Sequence, residues 1–348
     1  MEPAAEAGRI DRPPHPADVV SLPASLGRRF LVFVDTEEEF DWTQPRRRDA
    51  TATTAIAALP EAHRRLAGYG ICPTYLVDYP VASDPLAVDL MRPLLDAGEC
   101  AIGTQLHPWV NPPFDEELTV ANSFVGNLPE AIERAKLLAL TDRIAASFGK
   151  RPQIYRAGRY GIGPNSARLL EEAGYRLDVS VRALFDYSAE GGPDFTHHDA
   201  TPSWGGPGRL LLELPLSAVY AGRARRFGRR LYPAAGRVMR ARGLLSRSGM
   251  LSRIALTPEG TPLPDARRAI RTLLDDGQQL LSISFHSPSV VPGHTPYVRD
   301  AADLRDFYAW WDGVLTMLAR EGVEPIGADA LIAAMWRARD VGLRLATG

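Results

Sequence analysis

Five apolar runs in this chain lead into polar residues of the kinds that perform hydrolysis. "FLVFV" is followed by Asp35 and Glu37, "CAIG" by Gln105 and His107, "PQIY" by Arg156 and Arg159, "RLLL" by Glu213 and "LLSISF" by His286. Side chains alternate along an extended segment, so Asp35 and Glu37 share one face, as do Gln105 and His107. Gathered around one cavity, the set supplies a carboxylate base, oxygen and nitrogen ligands for a divalent metal, a cation that keeps a carboxylate ionised, and a histidine acid. Glu38 and Glu39, in the same acidic cluster, are expected in solvent or on the following helical turn. Glu213 has a second reading, as a core carboxylate paired with an arginine. The isolated histidines His15, His63, His197, His198 and His294 read as surface or internally satisfied residues.

The elements that must position these groups alternate in βα order. The strand "RFLVFVD" precedes the helical "ATTAIAALPEAHRRLAGYG"; the apolar "CPTYLVDYPV" precedes "PLAVDLMRPLLDAGE", and "CAIGTQLHPW" follows. After a loop-like stretch around 110–128 come the long amphipathic "LPEAIERAKLLALTDRIAASFG", the strand "RPQIYRAGR", the helix "GPNSARLLEEAGY" and the strand "RLDVSV". "GRLLLELPLS", "LLSISFHSP" and "EPIGADAL" complete the strand or strand-end candidates, separated by two further helical segments. About seven strands in this rhythm predict a closed or nearly closed barrel of parallel strands, with an open doubly wound sheet as the competing fold. In both, chemistry gathers beyond the carboxyl ends of the strands, where the polar set lies.

Composition bounds the remaining questions. The chain has 348 residues, 45% of them hydrophobic, and a formal net charge of -2, so a large core is expected and no global field favours nucleic acid. Cys72 and Cys100 lack metal-ligand spacing and read as two thiols, not a disulfide framework. Residues 1–27 carry prolines without an apolar period and are expected to form a flexible tail; 28–335 form the barrel and 336–348 a C-terminal tail. Acids and prolines stand where a leader needs a basic start and an apolar stretch, and no run approaches the roughly 20 apolar residues of a spanning helix. The expected location is cytoplasmic. One interval breaks the rhythm: between Arg223 and Arg253 there are ten arginines and no acid. This insertion, 220–255, reads either as a solvated helical excursion or as a patch for an anionic partner such as a phosphorylated glycan, a nucleotide sugar or an acidic membrane surface.

In this order, "FVDTEEEF", "LLDAGECAIGTQLHPW", "YRAGRYGIGPNSARLLEEAGYRLDVSV", "LLELPLS" and "SISFHSP" resemble the five motifs of the NodB-like polysaccharide deacetylases, carbohydrate esterase family 4, with a WalW-like branch the nearest pattern. The resemblance spans about residues 28–335. It implies a deformed (β/α) barrel of about seven parallel strands in the glycoside hydrolase/deacetylase superfamily, a divalent metal, usually zinc, and removal of an N- or O-acetyl group from a sugar. By position, Asp35 is implied as the base, Arg156 as its charge partner and His286 as the acid. Glu37, His107 and Gln105 are the implied metal set, and Trp109, Arg159, Tyr160 and Glu213 the implied substrate contacts. The implied substrate is a carbohydrate or glycan precursor, and the arginine-rich insertion favours an anionic one.

The second motif departs from the family pattern. Gln105 and Trp109 stand where the family places histidines, with His107 between them, so one imidazole remains. Zinc prefers nitrogen and sulfur donors to an amide oxygen, so a harder ion is an alternative occupant. Three other functions stay open: a cyclic-amide hydrolase of the same fold, a metal-free glycosidase using Asp35 with Glu213, and a catalytically degenerate carbohydrate-binding barrel in which Trp42, Trp109 and Trp204 stack on sugar rings.

Overall fold

The computed structural model describes residues 8–347, with side chains through residue 339. The first strand, β1 (Arg29–Thr36), is followed by α1 (Leu59–Ala67), β2 (Thr74–Val77), α2 (Tyr79–Ser83), α3 (Pro85–Asp96) and β3 (Ala101–Leu106). The long predicted amphipathic segment forms α4 (Glu130–Phe148), which leads to β4 (Ile154–Ala157), α5 (Ser166–Glu172) and β5 (Leu177–Asp178). Two short strands, β6 (Ser203–Gly205) and β7 (Leu211–Glu213), precede the insertion. The insertion consists of β8 (Ala218–Ala221), α6 (Gly228–Gly236), α7 (Ala241–Arg247) and β9 (Ser252–Ala255). The chain ends with α8 (Leu263–Asp275), β10 (Leu280–His286), α9 (Ala301–Arg320), β11 (Glu324–Pro325) and α10 (Ala328–Thr347).

The main sheet runs β10-β1-β2-β3-β4-β5-β7-β6, with β11 also paired to β1. Every pairing from β10 to β7 is parallel, and β6 closes that edge in antiparallel sense. Seven parallel strands curl into a deformed (β/α) barrel, the architecture expected from the alternation of elements. Strand alternation divides the core in two. On β1, Phe30, Val32 and Val34 pack outward with the helices, whereas Leu31 and Phe33 face inward. The inner layer is capped by Ala328, Leu331, Ile332 and Met335 of α10. Burying these apolar faces on both sides of a parallel sheet explains why its strands read as nearly continuous hydrophobic runs.

Two expectations about the ends need correction. Residues 8–27 are not a loose tail: Ile10 joins the outer core, Val20 and Leu26 join the inner one, and Val19 bridges to Ser203. Single apolar residues spaced along an extended segment carry no periodic signal, so this packing was invisible in the sequence. At the other end, residues 336–347 continue α10, and Trp336 packs edge-on against Trp204 at 5.1 Å. Residues 1–7 and Gly348 of the two expected tails lie outside the described residues. Cys72 and Cys100 are free thiols. Among the described residues no helix is long and apolar enough to cross a membrane.

Candidate active site

Register brings the strand-end residues together. Asp35 lies directly beside His286 across the β1–β10 pair, and Gln105 lies beside Arg156 across β3–β4. Asp35 follows Leu31 and Phe33 on the inward face, so the same alternation that builds the inner core delivers its carboxylate to the mouth of the barrel. A cavity of about 200 Å³ opens there, lined by Asp35, Glu37, Gln105, His107, Trp109, Arg156, Arg159, Tyr160 and His286 among others.

Asp35 is gripped from two sides. The Arg156 guanidinium forms a buried ion pair with its Oδ1, and His286 Nε2 stands 3.6 Å from its Oδ2. Arg156 is itself fixed by donating from Nε to the Val179 carbonyl at 3.1 Å. His286 Nδ1 is 2.7 Å from Glu259 Oε2, and the other Glu259 oxygen accepts from the His286 backbone N–H and the Ser289 hydroxyl. Burial alone favours a neutral imidazole, but the Glu259 and Glu37 carboxylates outweigh it and push His286 up to about 10. The ring therefore carries a proton at neutral pH. Trp42 packs edge-on against it at 4.9 Å.

On the opposite wall, His107 is oriented by a buried carboxylate. Glu38 Oε2 lies 2.7 Å from His107 Nδ1, while Glu38 Oε1 accepts from the Trp109 indole N–H at 2.6 Å. Trp109 stacks on the His107 ring at 4.4 Å. Burial lowers His107 to about 4, so the imidazole is neutral. A proton held on Nδ1 by Glu38 leaves the Nε2 lone pair toward the cavity, the arrangement by which a second carboxylate orients a histidine ligand. Nε2 faces the Gln105 amide at 3.1 Å and Glu37 Oε2 at 3.5 Å. The close approach depends on Gly158: a Cβ there would meet His107 Cδ2 at 2.3 Å and the Leu106 carbonyl oxygen at 2.7 Å.

The expectation for Glu38 is thus corrected. It is fully buried, not solvated, because β1 ends at Thr36 and strand alternation stops before Glu38. Its backbone N–H donates to Asp78 Oδ2 at 2.6 Å, which turns the side chain inward. Glu39 does cap the following helical turn, accepting from Thr54 and from the Ala55 N–H. Glu213 is also corrected. It alternates out of phase with Leu212 and Leu214, which face the inner core, and it does not line the cavity. Burial and the neighbouring Asp178 carboxyl raise its pKa well above the usual range, and Val181 N–H donates to it. Trp204 likewise lies outside the cavity, whereas Trp42 lines it.

Glu259, Arg46 and Arg182 are among the cavity residues that escaped the sequence reading. Glu259 follows β9, beyond an insertion that breaks the βα rhythm. Arg46 lies over the Phe40 ring at 4.2 Å, and Arg182 lies over Tyr160 at 5.3 Å. Arg159, which was anticipated, ion-pairs with Glu190 and donates to Ser123 Oγ. Arg159 and Tyr160 have φ of 55° and 60°, a left-handed conformation that costs of order 1–3 kcal/mol at each non-glycine residue and gathers at functional sites.

Two groupings have the composition to hold a divalent cation. Glu38, Asp78 and His107 offer ligand atoms within 4.8 Å of one another. Every carboxylate oxygen there already accepts from or contacts a protein group, however: Trp109 and His107 use Glu38, and the Glu38 and Val81 N–H groups use Asp78. Glu37, Gln105 and His107 form the second set, in which the Gln105 amide nitrogen donates to Glu37 Oε2 at 3.0 Å and meets His107 Nε2 at 3.1 Å. Glu37 Oε1 and Gln105 Oε1 are buried acceptors with no hydrogen-bond partner among the described residues, and both residues line the cavity. Burial raises the Glu37 carboxyl well above its ordinary value, helped by Glu38 and Asp35 against the opposing charge of His286; a cation would reverse that penalty. Two oxygen donors and one imidazole suit a harder ion at least as well as zinc.

Fold and side-chain geometry together define an α/β-barrel protein with a buried Asp35–Arg156–His286 cluster and a candidate cation centre in one cavity. The fold is that of the polysaccharide deacetylases. A Mycobacterium smegmatis structure assigned as a polysaccharide deacetylase superposes with a TM-score of 0.51 at 18% identity, covering 94% of this chain and 96% of the other. Puue allantoinase superposes with the same TM-score and identity, covering 94% of each chain. No family model and no curated protein sequence matches the chain.

Proposed function

We propose that this protein is a hydrolase of the polysaccharide deacetylase type that cleaves a carbon–nitrogen bond, removing an acetyl group from an amino sugar or glycan precursor. The observation that carries the reading is Asp35 held between Arg156 and a His286 that Glu259 keeps protonated. Asp35 accepts a proton from the attacking water, and the buried ion pair with Arg156 holds its carboxylate in place. As the tetrahedral species collapses and the C–N bond breaks, His286 Nε2 delivers its proton to the departing nitrogen. The proton taken by Asp35 then returns across the 3.6 Å gap to His286, resetting both groups. Glu37 and His107, with the Gln105 amide oxygen, would hold a divalent cation, which when bound supplies Lewis-acid polarisation of the scissile carbonyl. A backbone N–H of the left-handed turn at Arg159 and Tyr160 would stabilise the developing oxyanion. The WalW-like branch rests on the motif pattern alone.

A second reading is favoured by size and charge. A cavity of about 200 Å³ lies below the usual 300–1,000 Å³ of ligand sites, and Arg46, Arg159 and Arg182 line it. A compact or anionic substrate fits such a space, and opening of a cyclic amide uses the same base and acid. The glycosidase alternative loses its second carboxylate, since Glu213 lies outside the cavity. The test is to assay protein supplied with zinc, manganese or cobalt against acetylated amino sugars, reading acetate, and against cyclic ureides, reading ring opening. Turnover of either class that disappears in Asp35→Asn and His286→Ala is expected. Turnover of neither class above the Asp35→Asn background overturns the proposal.

A further inference from the structure

The arginine-rich insertion divides into two sets of residues. Three arginines tie it to the rest of the fold, since Arg225 pairs with Asp276, Arg229 with Asp199, and Arg253 donates to the Leu184 carbonyl while lying over Phe185; a fourth, Arg242, braces the insertion from within by donating to the Tyr232 carbonyl. Their anchorage is completed by the small core of Leu184, Tyr220, Leu251 and Ala255. The other six, Arg223, Arg226, Arg230, Arg237, Arg240 and Arg247, are exposed and have no carboxylate partner among the described residues.

Between these free cations stand large apolar side chains left in water. Phe227 and Val238 are each 62% exposed, Leu244 61% and Met239 87%. Val238 and Met239 occupy the connection between α6 and α7, the outermost part of the excursion in sequence, flanked by Arg237 and Arg240. Arg226 and Arg230 also line a groove with Phe227 and Tyr220, in which the two carboxylates, Asp276 and Asp199, are already paired with Arg225 and Arg229. A water-facing loop gains nothing from aliphatic side chains at its tip. Arginines that reach outward around aliphatic groups match the chemistry of a lipid headgroup layer over hydrocarbon.

From this we infer that the α6–α7 excursion docks on an anionic lipid bilayer, with Val238, Met239 and Leu244 entering the headgroup–acyl boundary and the six unpaired arginines meeting lipid phosphates. A bilayer fits better than nucleic acid, because Val238, Met239 and Leu244 offer no hydrogen bonds to bases and Phe227 is the single exposed aromatic ring of the insertion. Docking has a consequence for the site. The β8–β9 hairpin that carries the excursion starts beside Ser217 and ends at Ala255, and both line the cavity. Four-residue strands span roughly 13 Å, so the cavity would work close to the lipid surface and take a membrane-borne glycan precursor. Only this last step rests on the proposed hydrolase.

The test is co-sedimentation of the full chain with vesicles of phosphatidylcholine alone and of phosphatidylcholine mixed with phosphatidylglycerol. Binding to the mixed vesicles only, weakening with added salt, is expected. Each unpaired arginine near the surface contributes about fivefold in partitioning, so Arg226→Gln with Arg230→Gln should lower it by roughly 25-fold. Val238→Ser with Met239→Ser should weaken binding even at low salt; both pairs are exposed, so unchanged thermal unfolding checks the fold. Equal partitioning into both vesicle types, or into neither, overturns the inference. So does lipid-free self-association, or retention on duplex DNA with no vesicle binding, that is lost in Met239→Asp. The readout is binding, so a failure of the hydrolase reading leaves it separately decidable.

Discussion

Replacing Glu259 by glutamine should uncouple His286 from the charge that keeps it protonated. The carboxylate sits 2.7 Å from His286 Nδ1, and burial alone would lower the ring's pKa. An opposite charge at this range is worth about 1–3 in pKa, or roughly 1.4–4 kcal/mol. His286 should therefore titrate well below its present value of about 10 in Glu259→Gln, while the Glu37 carboxylate retains part of the elevation. The sign of the stability effect follows. A histidine raised above its unfolded value stabilises the fold fully below about pH 6.5, and that contribution is lost as pH rises through about 10. Urea unfolding of the unmodified protein should show this loss, and the variant should show a smaller loss at lower pH. Histidine proton NMR titration reads the pKa directly, since the chain has 7 histidines. An unmodified His286 titrating near its ordinary value, or an unchanged titration in the variant, refutes the coupling.

Three further outcomes follow from the same geometry. Arg156→Met strands a buried Asp35 and should lower unfolding free energy by about 3–5 kcal/mol in urea titrations, with Asp35→Asn in the same chain recovering much of it. Glu38→Gln leaves His107 without its orienting carboxylate and should weaken divalent-cation binding by about 10- to 100-fold by calorimetry, although Glu38 does not line the cavity. Gly158→Ala drives a methyl into His107 and the Leu106 carbonyl and should cost roughly 1–3 kcal/mol of stability, together with lost cation affinity.

What the sequence revealed and concealed separates along strand alternation. Asp35, Glu37, Gln105, Arg156 and His286 terminate apolar runs, and a parallel register then places Asp35 beside His286 and Gln105 beside Arg156. The barrel itself was legible because parallel strands buried on both faces leave continuous apolar runs. Glu38 was misread where the strand ends, since no periodic rule predicts that Asp78 turns it inward toward His107 and Trp109. Glu213 was misread for the opposite reason: it stays in the strand pattern but on the wrong face of it. Glu259 had only one signal, an acid shortly after the apolar "RIAL", and the arginine-rich excursion before it hid the strand.

A calorimetric titration of the metal-free protein with zinc, manganese and cobalt, repeated on Glu37→Ala and His107→Ala, tests most directly whether this cavity is a metal-assisted hydrolytic centre. One ion bound per chain, lost in both variants, is the expected result. No binding of any of the three ions, or binding that survives both substitutions, contradicts it.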